Sequence, residues 1–224
     1  MIQRVYRAFF AAFLIAATSP AQAAPSSAEP VEGREFVEIF GGKPASDAPG
    51  VEVAELFWYG CPHCYRAEPD VHEWLKRKPD HARFERIPML LNAPAIEHAK
   101  AFYTAAGLGI EEKMHLPLFR ALQVQRKRMT DPAEIQGLFQ SVAGVTPEQF
   151  HAVFDSFEVD GKVRRTQVLA SEWGVNSVPT VIVGGRYRTS GSMAGTYKRM
   201  MEVVDHLVER VHAEDAAEAA QTKN

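Results

Sequence analysis

Cys61-Pro62-His63-Cys64 holds both cysteines of the 224-residue chain. Two thiols separated by two residues can bond to each other or exchange a disulfide with another molecule. As a structural staple the pair achieves little, because the entropy a bridge removes from the unfolded chain grows with the length of the loop it closes. A closed zinc site would need two further ligands, and His72, His81 and His98 offer no second pair at finger-like spacing. Covalent haem attachment requires histidine directly after the second cysteine, where this chain has Tyr65. Structural zinc and a purely structural bridge are the alternatives; thiol–disulfide chemistry, with no metal, nucleotide or flavin, explains the motif best.

The direction of that chemistry depends on which sulfur ionises, since the thiolate is the attacking species and an ordinary cysteine, near pKa ~8.5, is only slightly ionised at neutral pH. The apolar run Leu56-Phe57-Trp58-Tyr59-Gly60 reads as the end of a strand, so Cys61 opens a helix. There it meets unpaired backbone N–H groups and the positive end of the dipole. Pro62 suits the first helical position, where its missing N–H costs nothing. His63 adds a donor and, when protonated, a positive charge. If these effects bring Cys61 to a pKa of ~4, the reduced form gains ~4 kcal/mol at pH 7, close to ~90 mV in the oxidising direction. Such a pair would be a strong disulfide donor.

The motif needs a scaffold. Val51 to Tyr59 becomes continuously apolar, as a strand buried on both faces does. Glu35–Phe40 and Arg83–Leu91 are further strand candidates, with Pro69 set to kink the helix between them and the motif. From Pro94 to about Ser171 helical periodicity dominates, with stripes such as Ile96, Ala99, Phe102 and Tyr103 facing a core. Asp131-Pro132 and Thr146-Pro147-Glu148 are helix starts, and Gly144 is a stop. A strand over Val178–Val183, a turn at Gly184-Gly185, a second short strand over Tyr187–Ser190 and a final helix to Val211 complete the order. A mixed sheet flanked by helices, with a helical block inserted midway, is the packing this order implies.

The N-terminus reads as an export signal: Arg4 and Arg7, an apolar stretch from Ala8 to Ala17, then Ala21-Gln22-Ala23 as a cleavage site. That stretch is too short for a comfortable membrane span. Losing residues 1–23 makes the mature chain more acidic by two charges than the formal −3 of the whole sequence. Nothing in that balance points to nucleic acid or an anionic membrane surface.

Trp58-Tyr59-Gly60-Cys61-Pro62-His63-Cys64-Tyr65 resembles the active-site segment of the DsbA family of periplasmic disulfide oxidases, within the thioredoxin superfamily. The low thiol pKa and oxidising potential of that family are standard examples of the effect argued above. Pro69 and Val178-Pro179-Thr180 also match, the latter resembling a family loop whose proline is cis and faces the active site. The resemblance implies an α/β, thioredoxin-like fold with an inserted helical domain. Residues 1–23 would then be the signal peptide, 24–34 a flexible leader, 35–93 and 172–212 the thioredoxin-like domain, 94–171 the insertion, and 213–224 a frayed tail.

Carried over, Cys61 is the attacking and accepting sulfur, Cys64 the buried resolving partner and His63 the stabiliser of the Cys61 thiolate. Val178 and Pro179 present backbone to an extended substrate, and Glu55 matches a buried acid below the disulfide, where an exposed strand glutamate is the ordinary alternative. Arg86 falls near a family lysine and is not placed in the site. The implied partners are exported unfolded proteins with paired cysteines and, as reoxidant, a DsbB-type membrane quinone reductase. The implied setting is the periplasm, and the protein a monomer. Periplasmic isomerases and reductases share the motif and form the alternative; residues 24–34 are too short for an isomerase's dimerisation region, and Pro-His resembles the oxidase dipeptide.

Overall fold

The computed structural model describes residues 28–222, so the export signal and the first leader residues lie outside the described residues. The strands are β1 (Phe36–Glu38), β2 (Val51–Phe57), β3 (Ala82–Pro88), β4 (Thr180–Val183) and β5 (Tyr187–Ser190). They form a single sheet in the order β1-β5-β4-β2-β3. Only β2 and β3 run parallel. A parallel neighbour demands a crossover, which α1 (Pro62–Leu75) supplies. The motif therefore sits where an interior strand, buried along its whole length, hands over to the crossover helix.

The inserted block follows as α2 (Ala93–Gly107), α3 (Glu111–Gln123), α4 (Pro132–Ala143), α5 (Pro147–Phe154) and α6 (Phe157–Glu172). Local chemistry sets its boundaries. Asp131 caps α4 through Ala133 N, Gly144 ends it at φ 71°, and Thr146 and Gln149 form a reciprocal capping box on α5. The chain then returns through β4 and β5, a one-turn α7 (Gly191–Ala194) and α8 (Tyr197–Gln221).

The sheet alternates between two cores. Val51 and Val53 pack with Ala67, Val71 and Trp74 of α1 and with Met200, Val204 and Leu207 of α8. Ala54, Leu56 and Ile182 face Leu169 of α6 and the nearby Trp173. A third core belongs to the block, where Phe102, Phe119, Phe139 and Phe150 enclose Phe57, Tyr59, Cys61 and Cys64. Each large apolar side chain buried this way contributes about 1.5–3 kcal/mol. The motif is thus walled by the insertion as much as by the sheet.

The expected mixed sheet with its midway insertion is what the chain forms; β1, β2 and β3 end earlier than expected, and four further local differences stand out. First, α8 continues to Gln221, past the expected end at Val211. Tyr187 Oη donates to Glu214 at 2.7 Å, and Arg186 bonds Glu214 and Asp215, so β5 and the loop before it hold the alanine-rich tail. Second, the leader is fastened from Ala28 onward, because Arg199 donates to the Ala28 carbonyl at 2.6 Å and to Glu35 at 2.7 Å. Third, β4 begins at Thr180 instead of Val178. Fourth, Ile96 points outward at 43% exposure while Ala99 and Phe102 of its stripe are buried.

Candidate redox site

Cys61 is the N-cap of α1, held in extended geometry at φ −89° and ψ 115°. Its amide donates to Trp58 O at 2.9 Å. The two cysteines are unbridged, and they differ in access: Cys61 retains 8% of its surface and Cys64 none. They differ in acidity too. The Cys61 pKa falls to about 6, chiefly because the Cys64 thiol donates a hydrogen bond to its sulfur. Burial opposes the fall, the amides of Cys64 and His63 assist it, and the charge of His63 contributes least. Burial, and then the hydrogen bond to Cys61, push the Cys64 thiol well above its usual range. The pair therefore settles as one thiolate and one thiol. The helix end and the imidazole, named from sequence as the causes, both contribute, but the partner thiol leads. The His63 ring turns its Nδ1 to Tyr197 Oη and Arg66 Nη2, each at 3.0 Å.

The Val178–Pro179 peptide is cis, and the Cys61 thiol approaches the Val178 carbonyl at 3.7 Å. Val178 and Pro179 line one side of a groove of about 470 Å³, with His63, Arg66, Gly191 and Tyr197 around it. Residues 117 positions apart in the chain meet here, because β4 lies beside β2 in the sheet.

Beneath the thiols lies a buried cluster of charges. Glu55 and Arg86 are opposite one another in the parallel β2–β3 register, with Arg86 Nε 3.4 Å from Glu55 Oε2. Glu55 is fully buried and neither carboxyl oxygen has a hydrogen-bond partner. Arg86 also reaches Glu68 of α1 at 3.7 Å and Glu112 of α3 at 3.0 Å. Burial, reinforced by the charge of Glu68, raises the Glu55 pKa to about 7. Burial also pushes the Glu68 carboxyl upward, against the pull of Arg86. Glu68 Oε1 lies 3.0 Å from His115 Nε2, and His115 Nδ1 lies 3.0 Å from Tyr59 Oη. Burial keeps His115 neutral, lowering its pKa to about 3.

All six residues singled out from the sequence converge here: Cys61, His63 and Cys64 at the helix start, Val178 and Pro179 on the facing loop, Glu55 below. Glu68 and His115 were outside that reading; Arg86 was noted there but left out of the site, and Tyr59 stood in the motif without a role. Glu68 had a signal, since it follows Cys64 by four residues and shares the buried face of α1. Arg86 needed the strand register, and His115 needed the packing of a separate helix. His98, one of the residues weighed as a zinc ligand, accepts from Trp58 Nε1 through Nδ1 and meets Arg128 O through Nε2, both at 2.9 Å.

A profile of the DSBA-like thioredoxin domain matches residues 52–207. The thiol:disulfide interchange protein DsbA of Pseudomonas syringae is 39% identical over 196 residues, covering 87% of this chain and 90% of its own. The Burkholderia cepacia protein of the same name is 35% identical over 192 residues, covering 85% and 89%. The crystal structure of Pseudomonas aeruginosa DsbA superposes with a TM-score of 0.78 at 33% identity, over 83% of this chain and 96% of that one.

Proposed function

The chain belongs to the DSBA-like thioredoxin domain family and is a thiol:disulfide oxidoreductase, and from that premise we propose that it donates the Cys61–Cys64 disulfide to newly exported proteins in the periplasm. The observation that carries this reading is the asymmetry of the pair: one sulfur keeps a small exposed surface and is acidic, the other is sealed and neutral.

A substrate thiolate attacks Cys61, the only sulfur it can reach. The Cys61–Cys64 bond breaks, and the Cys64 sulfur takes up a proton. Glu55 is suited to give it, since burial holds its proton to a higher pH than an ordinary glutamate keeps it. The substrate's second thiolate then attacks the substrate sulfur of the mixed disulfide and expels Cys61 as a thiolate. Two electrons have passed from the substrate dithiol to the enzyme. With a Cys61 pKa of about 6, ionisation favours the reduced form at pH 7 by at most about 1.4 kcal/mol, or about 30 mV, before solvent screening reduces it. The push is in the oxidising direction.

The substrate is bound in extended form against the backbone of Val178 and Pro179, beside the groove on which His63 and Tyr197 open. Partners are exported proteins with paired cysteines, with a DsbB-type membrane quinone reductase restoring the disulfide; the enzyme acts as a monomer without a metal or organic cofactor. The export signal at residues 1–23 supports the periplasmic setting, and no helix among the described residues is long and apolar enough to cross a membrane.

The test is Cys61→Ser. Disulfide transfer to a reduced, unfolded substrate is expected to vanish while circular dichroism is unchanged; full activity in that variant would end the proposal.

A further inference from the structure

The buried charges beneath the thiols do not balance by themselves. Glu55 and Glu68 are both buried and both lean on Arg86, whose one positive charge is further shared with Glu111 and Glu112. Two buried carboxylates on a divided cation cannot both ionise cheaply, so one keeps a proton. Hydrogen-bond donors decide which. Glu55 has no hydrogen-bond partner for either oxygen. Glu68 has one: His115, at 3.0 Å.

The tautomer of His115 follows from donor counting. Among the described residues, the Tyr59 hydroxyl has its one side-chain bond to His115 Nδ1. Tyr59 is 1% exposed, so its proton must be spent on that nitrogen or left unpaired. With Nδ1 accepting, a neutral ring carries its hydrogen on Nε2, aimed at Glu68. Phe57 and Phe119 enclose the ring edge-on at 5.3 and 5.1 Å, which fixes its plane.

We propose that His115, supplied by the inserted block, is a positioning residue of the redox centre: by donating to Glu68 it keeps that carboxyl ionised and leaves the proton on Glu55, in the strand beneath the thiols. The proposal rests on the reading of Glu55 as the acid that serves Cys64. Proton balance gives it a purpose. Cleavage of the Cys61–Cys64 bond leaves Cys64 needing one proton, and reoxidation releases it again. Cys64 is sealed from water, whereas Glu68 and His115 line a pocket of about 580 Å³ between α1 and α3.

Other groups bear on the same carboxyls. Glu68 faces Arg86 from β3, Glu112 from α3 and His72 on its own helix. Arg66 and Arg120 stand around the pocket. Glu55 faces Glu68, Arg86 and His115. None of the other groups supplies a hydrogen bond to Glu68 in place of His115.

The experiment follows the ¹³C carboxyl resonances of Glu55 and Glu68 in the full reduced protein across pH 4–9, assigned with Glu55→Gln and Glu68→Gln. His115→Phe keeps an aromatic ring in the cage but removes the donor. It is expected to raise the Glu68 midpoint and lower that of Glu55, each by about one pH unit, the scale of a lost hydrogen bond to a charged group. His115→Gln, which can still accept from Tyr59 and donate to Glu68, is expected to restore both toward wild type. A raised Glu55 midpoint in the wild type that does not move in a folded His115→Phe protein would overturn the role of His115 while leaving Glu55 in place. An ordinary Glu55 midpoint in the wild type would overturn both. Should His115→Phe not fold, His115→Leu, which also removes the donor, is read in its place by the same outcomes.

Discussion

At the level of single residues, the chemistry rests on one hydrogen bond between sulfurs. The Cys64 thiol donates to Cys61, and this is the largest influence on the Cys61 pKa. Cys64→Ala removes that donor, so the Cys61 thiolate should become harder to form, with its midpoint rising by about one unit. The iodoacetamide alkylation rate of Cys61 as a function of pH measures this; an unchanged midpoint would mean that backbone amides alone hold the thiolate. The motif itself was readable from sequence because its residues are neighbours. The relative weight of its parts was not, since a helix end and an imidazole are visible in a string of letters while the direction of a thiol proton depends on geometry. Glu55 was legible as a carboxylate in an apolar run. Its partner Arg86, thirty-one residues on, came into contact only through the β2–β3 register.

At the level of elements, the junction between β2 and α1 is the part most sensitive to small changes. Gly60 precedes Cys61, and a Cβ there would lie 2.2 Å from the Trp58 ring. Trp58 stacks on His98 and donates to it at 2.9 Å, so the ring has a defined seat over the glycine. Gly60→Ala is expected to displace the ring, break that bond and cost about 1–3 kcal/mol, as overpacking does. Urea unfolding monitored by tryptophan fluorescence tests it; wild-type stability and an unshifted emission spectrum would show that the seat is loose. The helix starts of the block were legible because caps are local: Asp131, Thr146 and Gly144 act within a few residues of themselves. The end of α8 was not. Its last turns have an alanine-rich sequence without an apolar stripe, and they are held from outside by Arg186 and Tyr187.

In the whole molecule, the inserted block and the sheet share responsibility for the thiols. Phe57, Tyr59 and both cysteines pack into the block's core, while Glu55 and Arg86 belong to the sheet. The mixed-sheet architecture was legible from the order of periodic segments, but which helix would wall the site was a matter of long-range packing that no local signal records. This arrangement links folding to redox state. The folded Cys61 pKa of about 6 lies below the value of 9.0 for an unperturbed thiol. Ionisation of Cys61 therefore stabilises the reduced fold, fully above pH 9 and progressively less as pH falls through 6. Glu55, raised from 4.5 to about 7, has the opposite sign: its contribution is present below 4.5 and is lost as pH rises through 7. The Cys61 thiolate is the species on which oxidising power depends, and the most direct measurement is its absorbance in the fully reduced protein titrated from pH 3 to 10, with Cys61→Ser as the blank. A single thiolate appearing with a midpoint near 6 is the expected result. A midpoint near 9, or two thiolates ionising together, would contradict it.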